Sequence, residues 1–313
     1  MRIVFFGTSL FAAHILSFLF KHSYNIIAIV TQPDRPRGRH LHSSFSPVKE
    51  IALAKEPKSI LLQPDKISTP EYAELLKSFN PDLFLVVAYG EIIKKDLLAI
   101  PRLGPFNIHA SLLPKYRGAA PIQRCLMNGE EKTGINIIEM TPQMDAGDIV
   151  AASEIAISED MTFGELEMQL CQLACDLLPS FLMQAAEETL QRVPQDQQQV
   201  TFAPKLQAAD ERIDWNASAH SLHNLIRALS PTPGAWCLIS LGKEQKRIKI
   251  KRARPLLRAH SAEPGFLLPA QKGELLVACG QGALQLIEVQ VEGKKTLPVG
   301  DFLKGAQQLL RFV

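Results

Sequence analysis

The chain has 313 residues, 46% of them hydrophobic and 21% charged, with 34 Lys plus Arg against 32 Asp plus Glu and a formal net charge of +2. That apolar content can offset chain entropy, which excludes disorder of the chain as a whole, and the near balance of charge excludes a wholly basic, histone-like binder. The length allows roughly two domains.

The first 190 residues alternate between strand-like and helix-like runs. Arg2 to Phe6 reads as a strand ending at Gly7, and Ser9 can cap a helix from Leu10 to Lys21. Met1 to Phe20 has a crude signal-peptide shape, but Gly7-Thr8-Ser9 and His14 interrupt it, so strand, turn and helix are expected instead. Asn25 to Val30 reads as a strand, and Ser46-Pro47 opens a helix to about Lys55. Strands are expected at Asp82–Val87, Phe106–Ala110, Gly134–Glu139 and Ile149–Ile157, and a long helix from Thr162 to Glu188 with a kink at Pro179. This order predicts an α/β domain with a mostly parallel sheet and helices on both faces. The polar, Gln-rich stretch 189–204 is expected to be a linker or hairpin between domains. Beyond it a helix over Ala217–Leu229 and short strands at Trp236–Ser240, Gln245–Arg252, Leu275–Cys279 and Ala283–Val289 predict a small barrel or sandwich.

No uninterrupted apolar run reaches the roughly 18 residues of a membrane span, so no membrane association is expected. The five cysteines (Cys125, Cys171, Cys175, Cys237, Cys279) form no CxxC, which favours core packing in a reducing cytoplasm. No HxxxH or HExxH occurs, and no metal is expected. Gly7-Thr8-Ser9 lacks the GxGxxG pattern of nicotinamide cofactors, and no Walker A sequence is present.

The two parts differ in charge. Residues 205–313 carry 16 Lys or Arg and 9 Asp or Glu, a balance of +7; the first 204 carry 18 and 23, a balance of −5. In Lys246–Lys251, strand alternation places Arg247, Lys249 and Lys251 on one face and Ile248 and Ile250 on the other. Such a face can track a phosphate backbone, or it can be a solvated edge strand on which lysine blocks aggregation.

Two segments carry candidate chemistry. In Phe106–Pro114, FNIHASLLP, a period of two puts Asn107, His109 and Ser111 on one face at the end of an apolar strand. Polar groups are expensive to bury without a role, and the carboxyl ends of such strands are where ligands bind. Asp145 lies in MTPQMDAGD after the next strand, where a carboxylate can meet that histidine or simply form an Asx turn. An amide, an imidazole and a carboxylate suit acyl or formyl transfer. Donors stabilise the oxygen that becomes negative, the histidine moves a proton, and the carboxylate orients it.

These residues, with PKYRGAAPIQ over Pro114–Gln123, TQPDRPRGR over Thr31–Arg39, SPVK over Ser46–Lys49, VVAYG over Val86–Gly90 and RIDW over Arg212–Trp215, resemble the folate-dependent formyltransferases over nearly the whole chain. The resemblance implies transfer of the formyl group of 10-formyltetrahydrofolate to the α-amino group of methionine on initiator tRNA. It implies a Rossmann-like catalytic domain over 1–188 and, after the linker, an OB-like barrel over 205–313 that binds tRNA. By matching position it implies Asn107, His109 and Asp145 as the catalytic trio, and Ser111, Leu112, Leu113, Pro114, Tyr89 and Gly90 as folate-contacting. Arg35, Arg37 and Arg39 would reach the acceptor end, with Arg39 first in line to discriminate it, while Arg247, Lys249 and Lys251 would hold phosphates. The loop departs from the family after Arg39, reading His40-Leu41-His42-Ser43-Ser44 where lysines are usual. Initiator methionyl-tRNA and folate are the expected partners of a cytoplasmic monomer.

Overall fold

The structure, a computed structural model, describes residues 1–37, 42–55, 59–241, 244–306 and 309–313. The chain divides into two compact units. The first is Met1–Gly118, Thr133–Ile155 and Glu167–Phe202, and the second is Ala119–Lys132, Ala156–Leu166 and Ala203–Val313.

In chain order the elements up to residue 186 are β1 (Ile3–Gly7), α1 (Leu10–Lys21), β2 (Ile26–Val30), β3 (Arg35–Arg37), β4 (His42–Ser44), α2 (Pro47–Lys55), β5 (Ile60–Leu62), α3 (Pro70–Ser78), β6 (Leu83–Val87), α4 (Lys95–Leu98), β7 (Gly104–His109), α5 (Pro121–Met127), β8 (Lys132–Glu139), β9 (Ile149–Ala156) and α6 (Phe163–Ala186). Ser9 caps α1, its hydroxyl accepting from Ala12 N–H, and Thr69 does the same for α3 through Tyr72 N–H. Among the described residues the main sheet has the order β5-β2-β1-β6-β7-β8-β9. The β1–β2, β1–β6, β2–β5 and β6–β7 pairs are parallel and β7–β8 is antiparallel. This is the mostly parallel sheet that the alternation predicts and the Rossmann-like arrangement that the resemblance implies. Strands β1 and β6 are buried along their whole length, as expected where both faces are covered. On one face Phe6 packs edge-on against Tyr89 and tilted against Phe84. Elsewhere in this unit Phe106 meets Phe181 of α6 edge-on.

The second unit adds α7 (Ala219–Leu229), β10 (Ala235–Leu241), β11 (Glu244–Leu256), β12 (Leu267–Leu268), β13 (Leu275–Ala278), β14 (Ala283–Val291), β15 (Leu297–Pro298), α8 (Val299–Gly305) and β16 (Leu309–Phe312). Its strands run β12-β13-β14-β11-β10-β16, with antiparallel neighbours. A backbone bridge between Phe266 and Arg311 joins the two ends of that order, so the sheet is a nearly closed antiparallel barrel. At this seam Phe312 N–H donates to Gly265 O at 2.9 Å. Gly265 has φ +88°, and a Cβ there would lie 2.3 Å from Phe312 O, so only glycine lets the seam form. The core holds Ile213, Trp215, Leu222 and Ile226 against Ile248, Ile250, Leu284 and Leu286. No described helix is long and apolar enough to cross a membrane.

Candidate active site

Strand β7 delivers Asn107 and His109 to the carboxyl edge of the parallel part of the sheet, beside the ends of β1 and β6. His109 is 5% exposed and Asn107 is half-buried. Asp145 comes from the β8–β9 loop, 38 residues later, and its carboxylate closes the group. Asn107 Nδ2 donates to its Oδ1 at 3.4 Å, and His109 Nδ1 lies 3.6 Å from its Oδ2. Gly118 N–H also donates to Oδ2, at 2.9 Å. The three side chains singled out by spacing therefore meet around one point.

The tautomer of His109 is set by its other nitrogen. Nε2 lies 2.9 Å from Tyr116 O, a carbonyl that can only accept, so Nε2 carries a hydrogen. This leaves Nδ1 facing the carboxylate.

The loop that carries Asp145 is forced into an unusual shape. Asp145 has φ +49°, a left-handed conformation uncommon outside glycine but better tolerated by Asp and Asn than by most residues. Two residues on, a Cβ at Gly147 would lie 1.7 Å from Glu139 O, so the loop folds back on β8 as only glycine allows. Its backbone is held from outside. Gln195 Nε2 donates to Asp145 O at 2.8 Å and to Gly147 O at 2.7 Å. Gln195 Oε1 in turn accepts from Arg117 Nε at 3.0 Å and Nη2 at 2.7 Å.

The residues expected to contact folate are placed unevenly. Ser111 lies beyond the end of β7, fully buried, with Oγ donating to Lys115 O at 2.7 Å. It is thus part of the turn rather than of the strand face that the period of two suggests. Leu113 is buried and its N–H donates to Asn136 Oδ1 at 2.6 Å, while Leu112 and Pro114 are half-buried. The Tyr89 ring belongs to the core, its hydroxyl donates to Glu91, and its carbonyl accepts from Thr8 Oγ1 at 2.8 Å. Burial and the Glu91 charge push the Tyr89 phenol well above its ordinary pKa. Gly90 is exposed, and a Cβ there would meet nothing within 4 Å.

The cations expected to meet tRNA are also sorted. Arg35 and Arg37 lie on β3, paired with Ser44 and His42 of β4, and Arg39 lies outside the described residues. On β11 the alternation holds through Ile250 and then breaks. The register against β14 shifts between Ile250 and Arg252, and Lys251 at this bulge is covered to 9% exposure, with Nζ donating to Pro231 O at 2.6 Å. Lys251 thus stays beside Lys249, both against the 231–234 turn, but it is covered there rather than open to a phosphate. Burial lowers the Lys251 pKa, with the Lys249 charge adding to it. Lys249 Nζ donates to Pro233 O at 2.6 Å, and Arg247 stacks on Trp236 with its guanidinium 3.9 Å from the ring centre.

Sequence reasoning missed Gln195, Arg117, Gly118 and Asn136. Asn136 left a signal, as a polar residue inside the apolar run GINII. Gln195 left none, because a glutamine among glutamines in an irregular segment looks like any other.

A family model described as formyl transferase matches residues 1–182, and one described as formyl transferase, C-terminal domain, matches residues 205–307. The chain belongs to the formyl transferase family. This formyl transferase is 45% identical over 314 residues to a methionyl-tRNA formyltransferase of Protochlamydia amoebophila, covering 100% of this chain and 98% of the relative. It is 42% identical over 309 residues to that of Brucella anthropi, covering 98% of each. HypX from Aquifex aeolicus, solved in complex with tetrahydrofolic acid, shares the fold at a TM-score of 0.64 and 16% identity, over 97% of this formyl transferase and 47% of that longer chain.

Proposed function

We propose that the protein transfers the formyl group of 10-formyltetrahydrofolate to the α-amino group of methionine on initiator tRNA, for translation initiation in the cytoplasm. The observation that carries the reading is the convergence of the Asn107 amide, the His109 ring and the Asp145 carboxylate at the carboxyl edge of β7. The near full-length similarity to methionyl-tRNA formyltransferases supports the substrate pair.

The donor set fits a formyl carbonyl. As the acceptor amine bonds to the formyl carbon, negative charge grows on the carbonyl oxygen, and the bond from that carbon to the folate nitrogen then breaks. Asn107 Nδ2–H and His109 Nε2–H are the two donors for that oxygen, and losing one such donor costs on the order of 3 to 4 kcal/mol elsewhere. To serve, His109 exchanges its present acceptor, Tyr116 O, for the substrate oxygen; catalytic hydrogen bonds commonly reach their working geometry only with substrate in place. Asp145 faces Nδ1 of the imidazole and takes the proton that the attacking amine releases, directly or through water. A proton is returned to the folate nitrogen as it leaves. For the folate itself, Leu112, Pro114 and the Tyr89–Gly90 backbone are the available contacts.

The acceptor is a polyanion, and the +7 balance of residues 205–313 supports placing its phosphates there. Arg247 and Lys249 remain candidates on β11, and Arg35, Arg37 and Arg39 are the candidates for the acceptor end. The deciding assay offers the protein 10-formyltetrahydrofolate with methionine-charged initiator tRNA, with uncharged tRNA and with a free amino sugar. Formylation of the charged tRNA alone is expected; formylation of the sugar in its place overturns the reading.

A further inference from the structure

Gln195 is 6% exposed and its amide makes four hydrogen bonds, which exhausts its two donors and two acceptor sites. Its orientation is unambiguous. Two carbonyls on one side require the NH2, and a guanidinium on the other requires the oxygen.

What the amide joins gives it significance. On one side are the carbonyls of Asp145 and Gly147, the backbone of the loop that presents the carboxylate. The loop is closed at its base by Glu139 N–H to Asp148 O at 3.0 Å, but around Asp145 its own bonds are long or local: Ala146 N–H to Gln143 O at 3.4 Å and Thr141 Oγ1 to Gln143 O at 3.1 Å. A left-handed aspartate persists where its surroundings impose it, and Gln195 grips the carbonyl of that residue itself. On the other side is the side chain of Arg117, which is 3% exposed. Its chain neighbours are Tyr116, whose carbonyl holds His109, and Gly118, whose N–H holds Asp145. The charge of Arg117 on the amide oxygen polarises the group and strengthens what its N–H bonds can hold.

We propose that Gln195 is a positioning residue for formyl transfer: by bridging Arg117 to the backbone of Asp145 and Gly147, it fixes the carboxylate against His109 and Asn107. This rests on the formyl-transfer reading above. Gln195 touches neither substrate and acts through Asp145.

The test uses the full chain and separates the two halves of the bridge. Gln195→Glu keeps an acceptor for Arg117 but turns a carboxylate oxygen towards two carbonyls, and Gln195→Met keeps the shape and loses all four bonds. For both, kcat is expected to fall roughly 10- to 100-fold, with KM for formyl donor and for charged tRNA within about threefold of the parent. A partly unfolded population also lowers kcat at unchanged KM, so the double variant separates positioning from a merely structural role. Because Gln195 works through the carboxylate, adding Gln195→Glu to Asp145→Asn lowers kcat by less than about threefold further. Parental kcat in both single variants overturns the proposal. So does a double variant in which the losses multiply, and so does loss of folded structure by circular dichroism in both single variants, which makes Gln195 a requirement of the fold. If the parent protein itself fails to formylate charged tRNA, the formyl-transfer reading falls instead, and the two failures stay distinct.

Discussion

The end of β7 and the length of β11 put their polar side chains to different uses. At β7, Asn107 and His109 point where the periodicity sends them, the distant β8–β9 loop brings Asp145 to meet them, and Gly118 N–H from the segment after β7 holds that carboxylate. On β11, a strand with six basic residues from Lys246 to Arg254, the cations are largely engaged by the protein itself: Lys249 and Lys251 with turn carbonyls, Arg252 with Glu165 and Arg254 with Asp160. One edge is organised around chemistry and the other around its own architecture. Polar residues on a strand become a site when outside elements hold them against each other, and become scaffold when their nearest neighbours satisfy them.

This contrast can be broken by experiment. The largest effect belongs to the β7 edge. His109→Ala and Asp145→Ala are each expected to lower kcat by about a hundred- to ten-thousand-fold while folate affinity, read by calorimetry, stays within about threefold. Unchanged turnover in either variant removes that residue from the mechanism. In the barrel, the expected losses are of stability. Gly265→Ala strains a left-handed backbone and collides with Phe312 O, so denaturant titration should show a loss of about 1–3 kcal/mol or more; a barrel that tolerates it has a different seam.

A smaller effect is expected at Asp210, whose carboxylate accepts from Arg124 at 2.7 Å and from Gln207 N–H at 2.8 Å. The Arg124 hydrogen bond, then that of Gln207, lowers its folded pKa below the ordinary 3.8. The unfolded chain therefore binds the proton more readily, and the stabilisation is present above pH 3.8 and is lost as pH falls through the folded value. Asp210→Asn should cost on the order of 1 kcal/mol at pH 7, and parent and variant should converge in acid; a constant gap from pH 7 to pH 2 contradicts the assignment. The smallest effect sharpens the sorting on β11. If Arg247 meets a phosphate, Arg247→Ala should reduce the slope of log affinity for tRNA against log salt by about 1, whereas Lys251→Ala should leave it unchanged. An equal reduction from Lys251→Ala would return that lysine to the surface.

Much of this arrangement was legible in the sequence because it follows short-range rules. The bounds of α1 and α2, the Ser9 cap, and the side-by-side placement of Asn107 and His109 follow from periodicity and from residues a few positions away. What was illegible depends on sequence-distant neighbours or on one inserted residue. Lys251 keeps its place beside Lys249 but is covered by the turn at 231–234, and nothing in KRIKIKR announces that cover. Ser111 has the right spacing but stands past the last strand pair, where the chain turns. Tyr89 matches a family motif, yet its ring is claimed by Phe6. Gln195 depends on a guanidinium 78 residues away and on a loop 50 residues away.

The barrel seam has a consequence for how the second unit comes together. Hairpins such as β13–β14 join residues a few positions apart and can form early, whereas the Gly265–Phe312 pairing closes a loop of nearly fifty residues and comes late by the cost of bringing distant segments together. Until it forms, the nascent sheet presents two open margins with unpaired amides and carbonyls. During that interval an open strand edge of another copy of the chain is a competing partner for the place of β16, so the closing of this seam also guards against mispairing.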